Sequence, residues 1–160
     1  MTDQFPSALF RFFEAMPRQG PGAAAITRAL YDRFRPSTRS APKVADMGCG
    51  SGAAGLVLAE AGARVTGVDV HKPFLDSFTE RAKRRGLADR VETQCASMID
   101  SGLGDGTQDM IWSEGAVFTV GFDTALAAFH GLLRVGGRVV LSECSWLQDP
   151  ALAPADIQSY

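Results

Sequence analysis

From position 43 onward, short apolar runs alternate with stretches whose apolar residues recur every three or four positions. The runs at 43–47, 63–69, 90–95, 108–113 and 138–144 have strand length and strand composition. Between them, 52–61 reads as a helix stopped by Gly62, and Pro73 opens a second helix at a first-turn position. That second helix turns Phe74, Phe78 and Ala82 inward and ends at Gly86. A third, over 122–133, presents Leu126, Phe129 and Leu133, and Gly136-Gly137 turn it into the last strand. The 97–107 stretch carries three glycines and reads as a loop. Regular alternation of strand and helix predicts an α/β chain, a doubly wound parallel sheet of about five strands with helices on both faces.

N-terminal helices precede the sheet. Phe5, Leu9, Phe12 and Phe13 fall at helical spacing within 5–15, the 17–22 segment breaks the helix, and 23–34 resumes it with Ile26, Leu30 and Phe34 on one face. Residues 35–42 are a linker rich in proline and serine. The organisation expected is an N-terminal helical segment and linker over 1–42, the sheet domain over 43–148, and a tail or helix start over 149–160. As written the sheet stops after strand five, whose bare edge invites pairing with another chain. A truncated product, or a sheet completed by a homo-oligomer, is the expectation.

Chemistry concentrates where the first strand ends. Val44-Ala45-Asp46-Met47-Gly48-Cys49-Gly50-Ser51-Gly52 runs from apolar strand through an acid into glycines at alternate positions, then straight into a helix. Such a turn bends sharply and lets a ligand approach where a Cβ would intrude. Seventeen residues after Gly52 the next strand ends in Asp69, placed to grip a ribose diol with two oxygens. Gly50-Ser51-Gly52-Ala53-Ala54-Gly55 also reads as G-x-G-x-x-G, the dinucleotide fingerprint of an NAD-dependent oxidoreductase. Asp46 weighs against that reading. Its carboxylate would repel a pyrophosphate, whereas it attracts the sulfonium and ammonium of S-adenosylmethionine.

The run Asp46-Met47-Gly48-Cys49-Gly50-Ser51-Gly52 resembles the first motif of Rossmann-like (class I) S-adenosylmethionine-dependent methyltransferases. Gly67-Val68-Asp69 resembles the second, and Leu133-Arg134-Val135-Gly136-Gly137 the family's Leu-x-Pro-Gly-Gly turn, with Val135 in place of proline. Pro17-Arg18-Gln19-Gly20-Pro21-Gly22 and Ile111-Trp112-Ser113-Glu114-Gly115-Ala116 are similar to segments of ubiquinone/menaquinone-biosynthesis-type small-molecule methyltransferases. The resemblance spans roughly 10–148. It implies cofactor contacts from Asp46, Gly48, Cys49, Gly50, Gly52, Asp69, Val70, Ser97, Met98 and Ser113, with Val70, Ser97 and Met98 beside the adenine. It also implies an N-terminal lid containing Arg18-Gln19-Gly20, and a substrate-facing Glu114 serving as general base, orienter or partner of the cofactor's cations. Strand four lacks the Asn/Asp-Pro-Pro-Tyr/Phe motif of amino-methyltransferases, which points away from nucleobase or glutamine N-methylation.

The implied reaction is methyl transfer to a small-molecule acceptor by in-line displacement. The alternative is an S-adenosylmethionine-binding domain without catalysis. A net charge of −2 and pI near 5.6 argue against a nucleic-acid partner held by a basic face. Arg81, Lys83, Arg84 and Arg85 fall in the last turn of a helix, where they complement its dipole. Cys49, Cys95 and Cys144 show no metal-ligand spacing and read as free thiols of a cytoplasmic protein, with no metal site. No basic stretch followed by an apolar core begins the chain, and no apolar run approaches the ~20 residues that span a membrane. His71 reads as a surface residue near the site, and His130 is assigned no role.

Overall fold

A computed structural model describes residues 7–145, so the expectations placed on Phe5 and on 149–160 lie outside the described residues. Helices α1 (Ser7–Glu14) and α2 (Ala24–Phe34) lead into β1 (Lys43–Met47), α3 (Ala53–Glu60), β2 (Arg64–Asp69), α4 (Lys72–Arg84) and β3 (Val91–Cys95). A loop then reaches β4 (Gln108–Glu114), a 3-10 turn (Val117–Thr119), α5 (Phe122–Leu132) and β5 (Leu133–Ser142). The five strands pair in the order β3-β2-β1-β4-β5, parallel throughout, as alternation of strand and helix predicts. The order in which strands are added reverses between β1 and β4, so their C-terminal ends flank the crevice where ligands bind in open α/β sheets.

Pleating sends alternate residues to opposite faces and divides the core in two. Val44, Met110 and Trp112 join Tyr31 of α2, Leu56 and Leu58 of α3 and Phe78 of α4 on one face. Ala45, Met47, Val68 and Ile111 join Ala125, Phe129 and Leu132 of α5 on the other. Strand β4 is covered on both faces, with Met110, Ile111 and Trp112 fully buried. Each such side chain contributes roughly 1.5–3 kcal/mol by burial, so the sheet is anchored at β1 and β4 and thins toward its edges. Helix α4 has proline in its first turn and Phe74, Leu75, Phe78 and Ala82 buried, which matches the sequence stripe.

Strand β5 departs from expectation. It begins at Leu133, directly after α5, instead of after the glycine pair. Leu133 pairs with Gln108, the register then slips, and regular pairing resumes at Arg138 with Met110. The residues between bulge outward, with Val135 wholly exposed and Gly136 at φ 78°. A bulge of this kind breaks the apolar period that marks a strand.

At the opposite end of the sheet from the crevice, Asp109 is 2% exposed. It accepts the Lys43 backbone N–H at 2.8 Å and pairs with Arg39 at 3.2 Å and with Arg134. Linker, β1 and the start of β5 are thereby tied to one carboxylate.

Candidate cofactor site

The turn from β1 into α3 folds over the end of β2. Gly48 and Cys49 donate their N–H groups to the Val68 carbonyl at 2.9 and 3.1 Å. Asp69 accepts the Gly50 N–H on Oδ2 at 2.8 Å and the His71 N–H on Oδ1 at 2.9 Å. Two backbone donors thus fix the carboxylate while each oxygen keeps a lone pair for a diol. Burial raises the Asp69 pKa, and the bonds from His71 and Gly50 oppose that shift.

The glycines divide their work. A Cβ at Gly48 would fall 2.4 Å from the Ala116 Cβ and 3.1 Å from the Met98 Cε, so loops after β3 and β4 close onto this position. At Gly52, Gly55 and Gly67 the added atom would lie 2.0, 2.4 and 2.6 Å from the ring of Phe78. The structure therefore places Gly52 and Gly55 against a core phenyl, and the overlapping G-x-G-x-x-G pattern reflects close packing of α3 against α4 and the sheet. Gly50 faces the N-terminal segment, its Cβ position lying 2.6 Å from the Gln19 Oε1.

A small cleft opens beside this turn, lined by Arg18, Gly20, Asp46, Gly48, Cys49, Gly50 and Glu114 among others. Asp46 is 2% exposed and its Oδ2 has no hydrogen-bond partner. Burial, reinforced by the charges of Glu114 and Asp69, pushes its pKa up to about 7. Burial likewise pushes the Cys49 thiol up, leaving it an inert lining group. Glu114, at the tip of β4, is held by three donors. Its Oε1 accepts from Trp112 Nε1 at 2.9 Å and Thr27 Oγ1 at 2.7 Å, and its Oε2 from Arg18 Nη1 at 2.5 Å.

The segment 17–22 crosses the mouth of this cleft as a strap. Gln19 accepts the Ser51 N–H and hydroxyl at 2.9 Å each, and donates back to the carbonyls of Phe13 and Met16. Arg81 donates from one nitrogen to the Ser51 carbonyl and hydroxyl and to the Pro17 carbonyl. Helix α1 is seated by Phe10, whose ring stacks 4.4 Å from His71, and by Glu14, 2.7 Å from His71 Nε2.

Residues expected beside the adenine are spread differently. Val70 stands 64% exposed, Met98 turns from the loop after β3 into the apolar cluster of Met47 and Val117, and the half-buried Ser97 bridges to Asp100. Ser113 is fully buried and donates its hydroxyl to the Met47 carbonyl at 2.8 Å, so it joins β4 to β1 inside the sheet and does not line the cleft.

Residues 45–141 match the family described as a methyltransferase domain. The chain belongs to that family.

Among its relatives, the methyltransferase GfsG of Streptomyces halstedii is 32% identical over 120 residues, covering 74% of this chain and 42% of the relative. A geranyl diphosphate 2-C-methyltransferase of Saccharopolyspora erythraea is 30% identical over 99 residues, covering 61% of this chain and 35% of that enzyme. The structure of a SAM-dependent methyltransferase from Geobacter sulfurreducens in complex with S-adenosylhomocysteine superposes with a TM-score of 0.75 at 26% identity, over 88% of this chain and 57% of that one. The chain thus spans about two-fifths of the length of the curated relatives it matches.

Three residues around this cleft escaped the sequence reading as members of the site, Thr27, Arg81 and Trp112, whereas Gln19 falls in the expected lid. Arg81 was assigned with its neighbours to the helix dipole, yet it occupies the Phe74–Phe78–Ala82 side of α4 and clamps the glycine turn. A cation on an otherwise apolar stripe was the available signal. Lys83 and Arg85 do behave as surface cations, paired with Glu80 and Glu60.

Proposed function

We propose that this domain binds S-adenosylmethionine and serves methyl transfer to a small-molecule acceptor. The observation that carries the reading is Asp46, a buried carboxylate with one oxygen unpartnered, in the lining of a cleft between the glycine turn, the strap and Glu114. A bound cation satisfies such a group, and both the sulfonium and the ammonium of this cofactor are cations. Asp69, already oriented by Gly50 and His71, holds the ribose diol. Val70, Met98 and Ser97 lie along the loops that would receive the base, the thioether of Met98 suiting an aromatic face. The cofactor supplies a methyl group on a good leaving group. The chain's residues therefore contribute alignment and exclusion of water, with Gly48 closed over by Ala116 and Met98. Glu114 belongs to this machinery as the acid that fixes Arg18, α2 and Trp112 at the rim, since three donors already claim its oxygens.

The acceptor is a small molecule in this reading, supported by the geranyl diphosphate enzyme. A cytoplasmic setting accords with Cys49, Cys95 and Cys144 all being free thiols. No helix among the described residues is long and apolar enough to cross a membrane. Pairing of two copies through β5, which has β4 on one side only among the described residues, is part of the proposal. Light scattering at the mass of a single chain would reject it. The central test is calorimetric titration with S-adenosylhomocysteine and, separately, NAD. Micromolar binding of the first, lost in Asp69→Ala, is the expected result, whereas binding of NAD alone would overturn the reading.

A further inference from the structure

We propose that the N-terminal end of the sheet carries a second binding site, apart from the cofactor cleft, for a small sugar phosphate. A depression of about 340 Å³ opens where β1, β2 and β3 begin. Lys43, the first residue of β1, pairs in register with Arg64, the first of β2. Arg90 stands next in line, just before β3, its carbonyl taking the Val65 N–H at 2.8 Å. All three cations line the depression. Among the described residues Lys43 and Arg64 have no carboxylate within ion-pair distance, and Arg90 gives Nη1 to the Gly62 carbonyl at 3.0 Å. Like charges on neighbouring strands, about 4.8 Å apart, repel each other. Asp109 accepts the Lys43 main-chain N–H but does not relieve them, because Arg39 and Arg134 already claim its carboxylate. Adjoining cations left unpaired around a cavity point to an anion that joins them.

The cavity follows from how the chain crosses from β3 to β4. Thr66 pairs with Ala45 and with Glu92, so Lys43, Arg64, Thr66 and Glu92 share the face that Ala45 packs toward α5. Helix α5 lies against β5, and the residues linking β3 to β4 form no helix, so this face stays open over β2 and β3. The lining then selects the ligand. Val65 is its only apolar residue and it holds no aromatic ring, so neither a base, which stacks, nor an acyl chain has a seat. Acceptors stand beside the cations: Asp89 and Glu92 line the depression without an ion-pair partner among the described residues, and Thr66 adds a hydroxyl. Gln108, 6% exposed, commits its amide N–H to Thr107 Oγ1 and keeps its carbonyl as a further acceptor. Cations suit a phosphate and the acceptors suit sugar hydroxyls, in a volume at the small end of ligand pockets.

Calorimetric titration at low ionic strength tests the proposal with ribose 5-phosphate, inorganic phosphate, free ribose and a glutamate-rich peptide. Ribose 5-phosphate is expected to bind, inorganic phosphate at least tenfold more weakly, and ribose not at all. Lys43→Gln and Arg64→Gln should each weaken ribose 5-phosphate at least tenfold. Each should also raise the urea midpoint of the free protein, because a repulsion is removed while the Lys43 main-chain N–H that holds Asp109 survives. Glu92→Ala should weaken the sugar phosphate yet tighten inorganic phosphate, since only the sugar uses that carboxylate as an acceptor. Asp69→Ala, which removes the proposed diol grip of the cofactor cleft, should leave ribose 5-phosphate within twofold. Loss of binding in that variant would place the sugar in the cofactor cleft and overturn the proposal. So would equal affinity for the two phosphates, which means general attraction of anions, or binding of the peptide alone, which means a face for an acidic protein segment. A lowered urea midpoint in Lys43→Gln or Arg64→Gln would make the cations structural and count equally against it. If ribose 5-phosphate fails to bind while S-adenosylhomocysteine binds, this site is rejected and the cofactor reading stands.

Discussion

Asp46 answers two opposing demands. Burial holds its carboxyl near pH 7, against about 3.9 in an unfolded chain, so the unliganded fold binds this proton more tightly than the unfolded state does. The fold therefore loses stability as pH rises from about 4 to 7, and the loss is complete above that window. Replacing the acid by Asn should stabilise the unliganded protein by about 1–3 kcal/mol at pH 8 and by nothing at pH 4, measured by urea unfolding at each pH. Cofactor binding runs the other way, because the ligand's ammonium, common to S-adenosylmethionine and S-adenosylhomocysteine, requires the ionised acid. Affinity for S-adenosylhomocysteine should be about tenfold weaker at pH 6 than at pH 8, and this dependence should flatten in Asp46→Asn. The importance of Asp46 was legible in the sequence because it follows from charge and position alone, an acid closing a strand before a glycine turn. Gly52 was not legible in the same way. Its turn conformation could be read, but the ring that needs its missing Cβ belongs to Phe78, on another helix. Gly52→Ala should cost on the order of 3 kcal/mol or more from overpacking at positive φ. Combining it with Phe78→Ala should cost less than the sum of the two, by a double-mutant cycle in urea.

Among the elements, the strap shows how far single-sequence reasoning reaches. Its break at Pro17 and its glycines were visible, as were the strands, because apolar period and turn residues are local signals. Where it docks was not, since Gln19, Ser51 and Arg81 come from three separate elements and none is apolar. The β5 bulge escaped for the related reason that pairing partners, not period, define the strand there. Arg81 adds a cation to the Gln19–Ser51 and Arg18–Glu114 bonds that hold the strap, bridging Ser51 and Pro17. Hydrogen bonds from a charged donor contribute about 1.5–3 kcal/mol, so Arg81→Ala should loosen the strap locally without unfolding the sheet. Amide exchange over residues 17–22 should accelerate at least tenfold while exchange in β1 and β4 stays within twofold. Uniform acceleration across the sheet would instead make Arg81 part of the global core.

The whole molecule separates binding from anchorage along the strand direction. The groups proposed to face the cofactor gather at the C-terminal ends of β1, β2 and β4, while Asp109 gathers the linker, β1 and β5 at the other end. Removing a buried carboxylate strands the cations it held, and here Arg134 and Arg39 would lose their partner together with the Lys43 N–H. The arginines are partly exposed, so water recovers some of the loss, and Asp109→Ala should cost about 2–4 kcal/mol. Because no cofactor-facing residue touches Asp109, affinity for S-adenosylhomocysteine at a temperature where the variant is fully folded should stay within twofold of wild type. The urea midpoint should fall without a change in m, since the same surface is exposed on unfolding. A drop in affinity that tracks the loss of stability would show that the two ends of β4 are coupled through the strand. Glu114 would then have to transmit it, being the only residue of β4 that lines the cleft and at the same time holds the strap.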